Sequence, residues 1–285
     1  MKTAFSILSF LSIFLTAECF VVTPPESMYE ITGHRARIHL FPSEGTIRCS
    51  DTVTVRRSGE GKGAFRFELS LLHRVEKVVL NGEEIRLERT REGFLIEASK
   101  LEEENQVVVE FSGNPSGNPE LSRLNSERAV LRAEDLLIRG THAYSFTRLT
   151  IVVPRDWEAV ATGMLALKRT VGDSAEFVWA SQGPLPDIGW ICAGKYVVTS
   201  QSVDSISFST YLFERDSLLA QELLGFAKRV TKFYGEQFSP YRFSKLAIVE
   251  VDDWFGGPFV LAAAIPSVIF VKRTTLKTED DFNKV

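Results

Sequence analysis

Thr46-Ile47-Arg48-Cys49-Ser50-Asp51-Thr52-Val53-Thr54-Val55-Arg56 alternates with period two. That is the pattern of a strand with one face in a core and one in water. The same signal recurs on both sides of it. Phe65, Phe67 and Leu69 repeat the alternation, and Val78-Val79-Leu80 runs into Asn81-Gly82 and then Ile85, a two-residue hairpin signal in which both turn positions accept φ > 0. Val107-Val108-Val109-Glu110-Phe111 closes on Gly113-Asn114-Pro115, Leu149 to Val153 stops at Pro154, and Phe208 to Phe213 ends the series. From Tyr29 to about Phe213 the reading is therefore β almost throughout: many short strands with turn signals, as in a sandwich or a saddle-shaped pair of sheets. Segment 116–140 has leucines embedded in charge without a clean period and reads as a long connection. There is no internal repeat.

The pattern changes at Asp216-Ser217. Leu219, Leu223, Phe226, Val230 and Phe233 follow at steps of four, three, four and three, one face of an amphipathic helix. Asp216 or Ser217 is placed to cap it, and such a stripe most often serves core packing. Lys245 to Val251 and Val268 to Val271 are apolar strand runs. A second domain is thus expected over 216–285, after a β domain spanning 28–213.

Composition excludes several classes. With 44% hydrophobic and 25% charged residues the chain has the make-up of an ordinary globular protein. A net charge of −4 argues against a nucleic-acid partner. Lys2, the apolar run Phe5 to Leu15 and Ala17-Glu18-Cys19 read as a signal peptide over 1–19, cleaved after Cys19. The run is too short to span a bilayer. Lipidation of Cys19 would call for a small residue before it, and Glu18 stands there, so export with no transmembrane span is the expectation. Cys49 and Cys192 then remain, each in an apolar strand-like context, and are read as two separate buried thiols.

Chemistry-bearing motifs are few. His34, His39, His73 and His142 form no cluster at ligand spacing, and all four are read as structural. There is no Gly-x-Ser-x-Gly elbow and no Gly-rich phosphate loop. Asp252 and Asp253 are read as a solvated turn. Gly256-Gly257 with Pro258 stands out, because two glycines after a strand let the backbone approach something closely. Pro266 before Ser267-Val268-Ile269-Phe270-Val271 suggests an edge strand, a possible ledge for an extended peptide.

Taken together these segments resemble the aminopeptidase N family of gluzincin zinc metallopeptidases. Val153-Pro154-Arg155-Asp156-Trp157 through Gly163 is similar to a segment of that family's N-terminal domain. Pro184-Leu185-Pro186-Asp187-Ile188-Gly189-Trp190 through Tyr196 is similar to the stretch that closes it, and Phe233 through Tyr241 with Lys245-Leu246 to the opening of its catalytic domain. The matches keep the family order over about residues 28–285. The resemblance implies a mainly β fold: a saddle-like β-sandwich followed by the truncated start, helix plus strands, of a thermolysin-like α+β domain. It implies a peptide-binding ledge at Gly256, Gly257, Pro258 and Ala264. Alanine replaces the family's amine-holding glutamate, which leaves exopeptidase specificity open. It also implies that the zinc helix, with its His-Glu-x-x-His motif, would follow Asn283-Lys284-Val285. No catalytic or metal-ligating residue is expected in this chain, and no cofactor; zinc would come with a C-terminal half. The partners expected are a peptide substrate or a complementary C-terminal polypeptide. The competing expectation is a stand-alone exported binding or scaffolding protein derived from such a peptidase.

Overall fold

The computed structural model describes residues 28–59, 63–87, 89–90, 93–117, 119–140, 145–185, 189–257 and 260–276. The expected signal peptide with Cys19, His142, the segment Pro186-Asp187-Ile188, Pro258 and residues 277–285 lie outside the described residues. The fold is mainly β, with 55% of residues in strands and 14% helical, so the β reading of the first two hundred residues holds.

Thr46–Arg57 is an inner strand of an eight-stranded sheet among the described residues. The order is Met164–Val171, Ser174–Ala180, Phe146–Pro154, Tyr29–Phe41, Thr46–Arg57, Glu104–Gly113, His73–Leu80 and Glu83–Glu84. Tyr29–Phe41 pairs in parallel with Phe146–Pro154, and the other neighbours are antiparallel. Ile47, Cys49, Val53 and Val55 face a single core. That core also holds Phe65, Phe67, Phe94 and Ile96 from a three-stranded sheet, and Ala129, Val130, Leu131 and Ile191 from a four-stranded one. Asp51 sits on the same inward face, fully buried, where a bare carboxylate would be costly. It is satisfied by His34 Nδ1 at 3.0 Å and by the Ile138 N–H at 3.2 Å. Asn81 (φ 50°) and Gly82 (φ 92°) form the tight turn between His73–Leu80 and Glu83–Glu84. Cys49 and Cys192 are free, buried and in different sheets, and burial pushes both thiols well above their ordinary range.

Segment 116–140 is not a plain connection. It contributes Arg123–Leu124 and Arg128–Arg132 to the four-stranded sheet, then a short 3-10 turn at Ala133–Asp135. Ala129, Val130 and Leu131 are buried in succession, on both faces of their strand, so no alternation marks them.

The last sheet runs Tyr196–Val203, Ile206–Phe213, Lys245–Val251, Val268–Lys272, Ala262–Ile265. It draws two strands from before residue 215 and three from after it. Ile206–Phe213 and Lys245–Val251 are parallel, and the crossover between them is the helix Ala220–Gln237. Neither Asp216 nor Ser217 caps this helix. Glu214–Leu219 is a 3-10 segment that leads directly into it, Ser217 Oγ donates to the Glu214 carbonyl, and Asp216 pairs with Arg215. The tighter turn satisfies the early N–H groups without a side chain.

Val268–Lys272 is not an edge strand. It lies between Lys245–Val251 (parallel) and Ala262–Ile265 (antiparallel), and the edge belongs to the latter. Pro266 and Ser267 turn the chain back between the two, with Ser267 at φ 66°. Alanine's weak strand preference conceals the outer strand in the sequence.

Candidate functional site

The glycine turn follows Lys245–Val251 and is anchored from beneath. Phe255 is buried against Trp190 and Phe270, with ring centroids 5.8 and 5.9 Å away, and this aromatic trio joins the four-stranded sheet to the five-stranded one. Gly256 (φ 67°) and Gly257 (φ 70°) both take the left-handed conformation that a side chain would strain. A Cβ on Gly256 would stand 2.7 Å from the Val260 Cβ. The close approach is to protein: the Gly256 N–H donates to the Glu120 carbonyl at 2.7 Å, the Gly257 N–H to the Trp254 carbonyl at 3.2 Å, and buried Lys272 Nζ to the Gly257 carbonyl. Ala264 is exposed on the edge strand opposite Ile269. The glycine turn and Ala264 therefore touch the same strand, Val268–Lys272, the turn at its C-terminal residue and Ala264 nearer its start. Glu120, a carboxylate beside Gly257, gave no signal in the sequence, because it lies in a charged segment far from the glycines.

Asp252 is not a solvated turn residue. Its Oδ1 is 2.5 Å from Arg128 Nη1 and its Oδ2 accepts the Trp254 indole N–H at 3.0 Å, while Arg128 stacks over Phe213 at 4.2 Å. Asp253 Oδ1 accepts the Thr274 N–H, which holds its carboxyl below the usual range against the opposing effect of burial. Fully buried Glu250 accepts the Phe213 N–H at 2.8 Å, and burial raises its pKa to about 7.

The described residues do not fit a zinc centre. No group of three or more His, Cys, Asp or Glu among them is placed to hold a metal. His34 is committed to Asp51, His73 donates through Nε2 to the Asp135 carbonyl, and His39 stacks on Phe41.

An apolar groove of about 770 Å³ lies between the helix and the sheet. The helix buries only Ala220, Leu224 and Ala227. Of the stripe read as core, Phe226, Val230 and Phe233 line the groove, facing Leu246, Ile248, Ile269 and Val271. Leu223 lines it and also packs against the buried Phe208, Leu224, Ala227 and Ile248, and Leu219 ends the 3-10 segment before the helix. Phe226, Phe233 and Tyr234 are each more than half exposed, and Phe238 is 79% exposed. Thr275 and Leu276 also line the groove. Among the described residues, no helix is long and apolar enough to cross a membrane.

Solved structures share this architecture. The M1 zinc metallopeptidase from Deinococcus radiodurans superposes with a TM-score of 0.67 at 12% identity, covering 87% of this chain and 61% of that one. The fold is shared with M1 zinc metallopeptidases. A mutant of the Deinococcus enzyme, and a two-domain M1 zinc metallopeptidase mutant bound to L-arginine, match equally well at 13% identity. The chain spans 61% of the length of each of these neighbours. No protein-family model matches the sequence, and a search of curated proteins found no match.

Proposed function

We propose that this chain is the front portion of an aminopeptidase N-like zinc peptidase, supplying the β module and the first layer of a thermolysin-like catalytic domain. The observation that carries the reading is the helix Ala220–Gln237, which stands on a five-stranded sheet with the larger part of its apolar face uncovered. Its groove takes a C-terminal polypeptide through an amphipathic helix. One fact supports that occupant: the chain spans 61% of the length of the solved neighbours. The metal and its ligands come with that polypeptide. The edge at Ala264 and the turn at Gly256 and Gly257 then form the wall along which a peptide lies. Lys2, the apolar run that follows and Ala17-Glu18-Cys19 support export of the assembled protein.

The test is to recover the native protein with an antibody against this chain. The expected product contains, in continuity or in stable complex, a polypeptide with a His-Glu-x-x-His sequence, and cleaves peptides in a chelator-sensitive way. Recovery of the 285-residue chain alone, inactive on peptides, would overturn the proposal.

A further inference from the structure

A second concavity, of about 290 Å³, opens between residues 162–163 and 181–185 on one side and 242–243, 245 and 266–267 on the other, and shares no lining residue with the groove or the glycine turn. Lys245, the first residue of its strand, contributes to the lining and is buried, at 5% exposure. Its Nζ donates to the Ala161 carbonyl at 2.6 Å and lies 4.1 Å from the centre of the Trp179 ring. Among the described residues it has no carboxylate partner. A lysine buried without an anion is uncommon, since desolvation of the ammonium is offset only in part by one carbonyl and one ring face.

Three further side chains in the lining, Gln182, Ser181 and Ser267, can donate as well. Gln182 spends its carbonyl on Ser244, accepting the backbone N–H at 3.1 Å and the hydroxyl at 2.6 Å, so the amide NH2 is the end left to the cavity. Ser181 Oγ accepts the Thr147 N–H and Ser267 Oγ accepts the Gly163 N–H, and each keeps its own hydroxyl proton. Arg242, exposed at the mouth, rests against Phe243 and forms no ion pair among the described residues. Ser267 holds a left-handed φ of 66°, and its carbonyl accepts the Ala247 N–H.

We propose that this concavity binds a small organic carboxylate, with Lys245 as the counter-ion, Arg242 as the gate charge, and Gln182, Ser181 and Ser267 as the hydrogen-bond donors. The volume suits a ligand of a few heavy atoms, smaller than a drug-sized molecule. A carboxylate satisfies two or three of these donors at once and neutralises the buried cation. The site is independent of the peptidase reading, since it shares no residue with the groove, the glycine turn or the edge strand.

The test is thermal unfolding of the full chain in sodium acetate, sodium succinate, inorganic phosphate and sodium chloride, at fixed pH and ionic strength. Acetate or succinate is expected to raise Tm saturably by about 2 to 6 °C over chloride. Arg242→Ala weakens the response and Lys245→Met abolishes it, while the Met variant's own Tm stays at or above the parent's, so loss of response is not loss of fold. A rise of equal size in Lys245→Met, or no rise over chloride in the parent, overturns the proposal. A larger rise with phosphate than with either carboxylate overturns the carboxylate class.

Discussion

Replacing Lys245 with methionine stabilises the protein at neutral pH. The amine is 5% exposed, and burial lowers its pKa from the ordinary 10.5 to about 7. At about 1.4 kcal/mol per pH unit, that fall corresponds to about 5 kcal/mol of stability forfeited at and below pH 7. The sign follows from proton binding. Between pH 7 and 10.5 the unfolded chain holds the lysine proton and the folded chain does not, so stability rises with pH across that window. The Ala161 carbonyl and the Trp179 face hold back part of the loss, and methionine fills nearly the same volume, so a net gain of about 1 to 4 kcal/mol is expected at pH 7. Urea unfolding of parent and variant at pH 7 and pH 9.5, in chloride buffers, measures it. Taking the difference between the two proteins removes the shared titration of Cys49, Cys192 and the buried tyrosines. The gain should shrink by about 1 kcal/mol or more for each pH unit above 7. A variant less stable than the parent at pH 7, or a difference that does not change with pH, would refute the reasoning.

Three further outcomes are expected. Glu250→Gln keeps an acceptor for the Phe213 N–H and removes a buried charge. Because the parent's carboxyl is raised to about 7, its stabilising protonation is lost as pH rises from about 4.5 through 7. The variant should be more stable at pH 8 by about 1 to 3 kcal/mol and flatter over that window, checked by denaturant midpoints. Gly256→Ala, with φ 67° and a Cβ 2.7 Å from Val260, should cost more than Gly257→Ala, whose Cβ meets the Glu120 carboxylate at 3.4 Å; about 2 to 4 against about 1 to 2 kcal/mol is expected from calorimetry. Phe226→Glu with Phe233→Lys, both on the open groove, should suppress self-association of the isolated chain in sedimentation while shifting its unfolding free energy by no more than about 1 kcal/mol.

The β module was legible in the sequence where one face of a strand is wet. Ile47, Cys49, Val53 and Val55 face the core as their alternation requires, and Asn81-Gly82 marks its hairpin because both residues have positive φ. Legibility failed where a strand is buried on both sides, as in Ala129-Val130-Leu131, and where an edge is built of alanine, as in Ala262–Ile265. The helix periodicity was visible, but periodicity cannot say what covers a stripe. The sheet covers Leu224 and Ala227, while Phe226 and Phe233 face the groove. Lys245, Gln182 and Ser267 come from separate segments and meet only through tertiary packing, so no spacing in the sequence announces their pocket.

The uncovered face of helix Ala220–Gln237 is proposed as a seat for a further polypeptide. Amide hydrogen exchange over residues 220–237 tests it, comparing the isolated chain with the native protein recovered from its source. Exchange at least about tenfold slower is expected in the native protein, concentrated at Phe226, Val230 and Phe233. Equal exchange in the two preparations would contradict it.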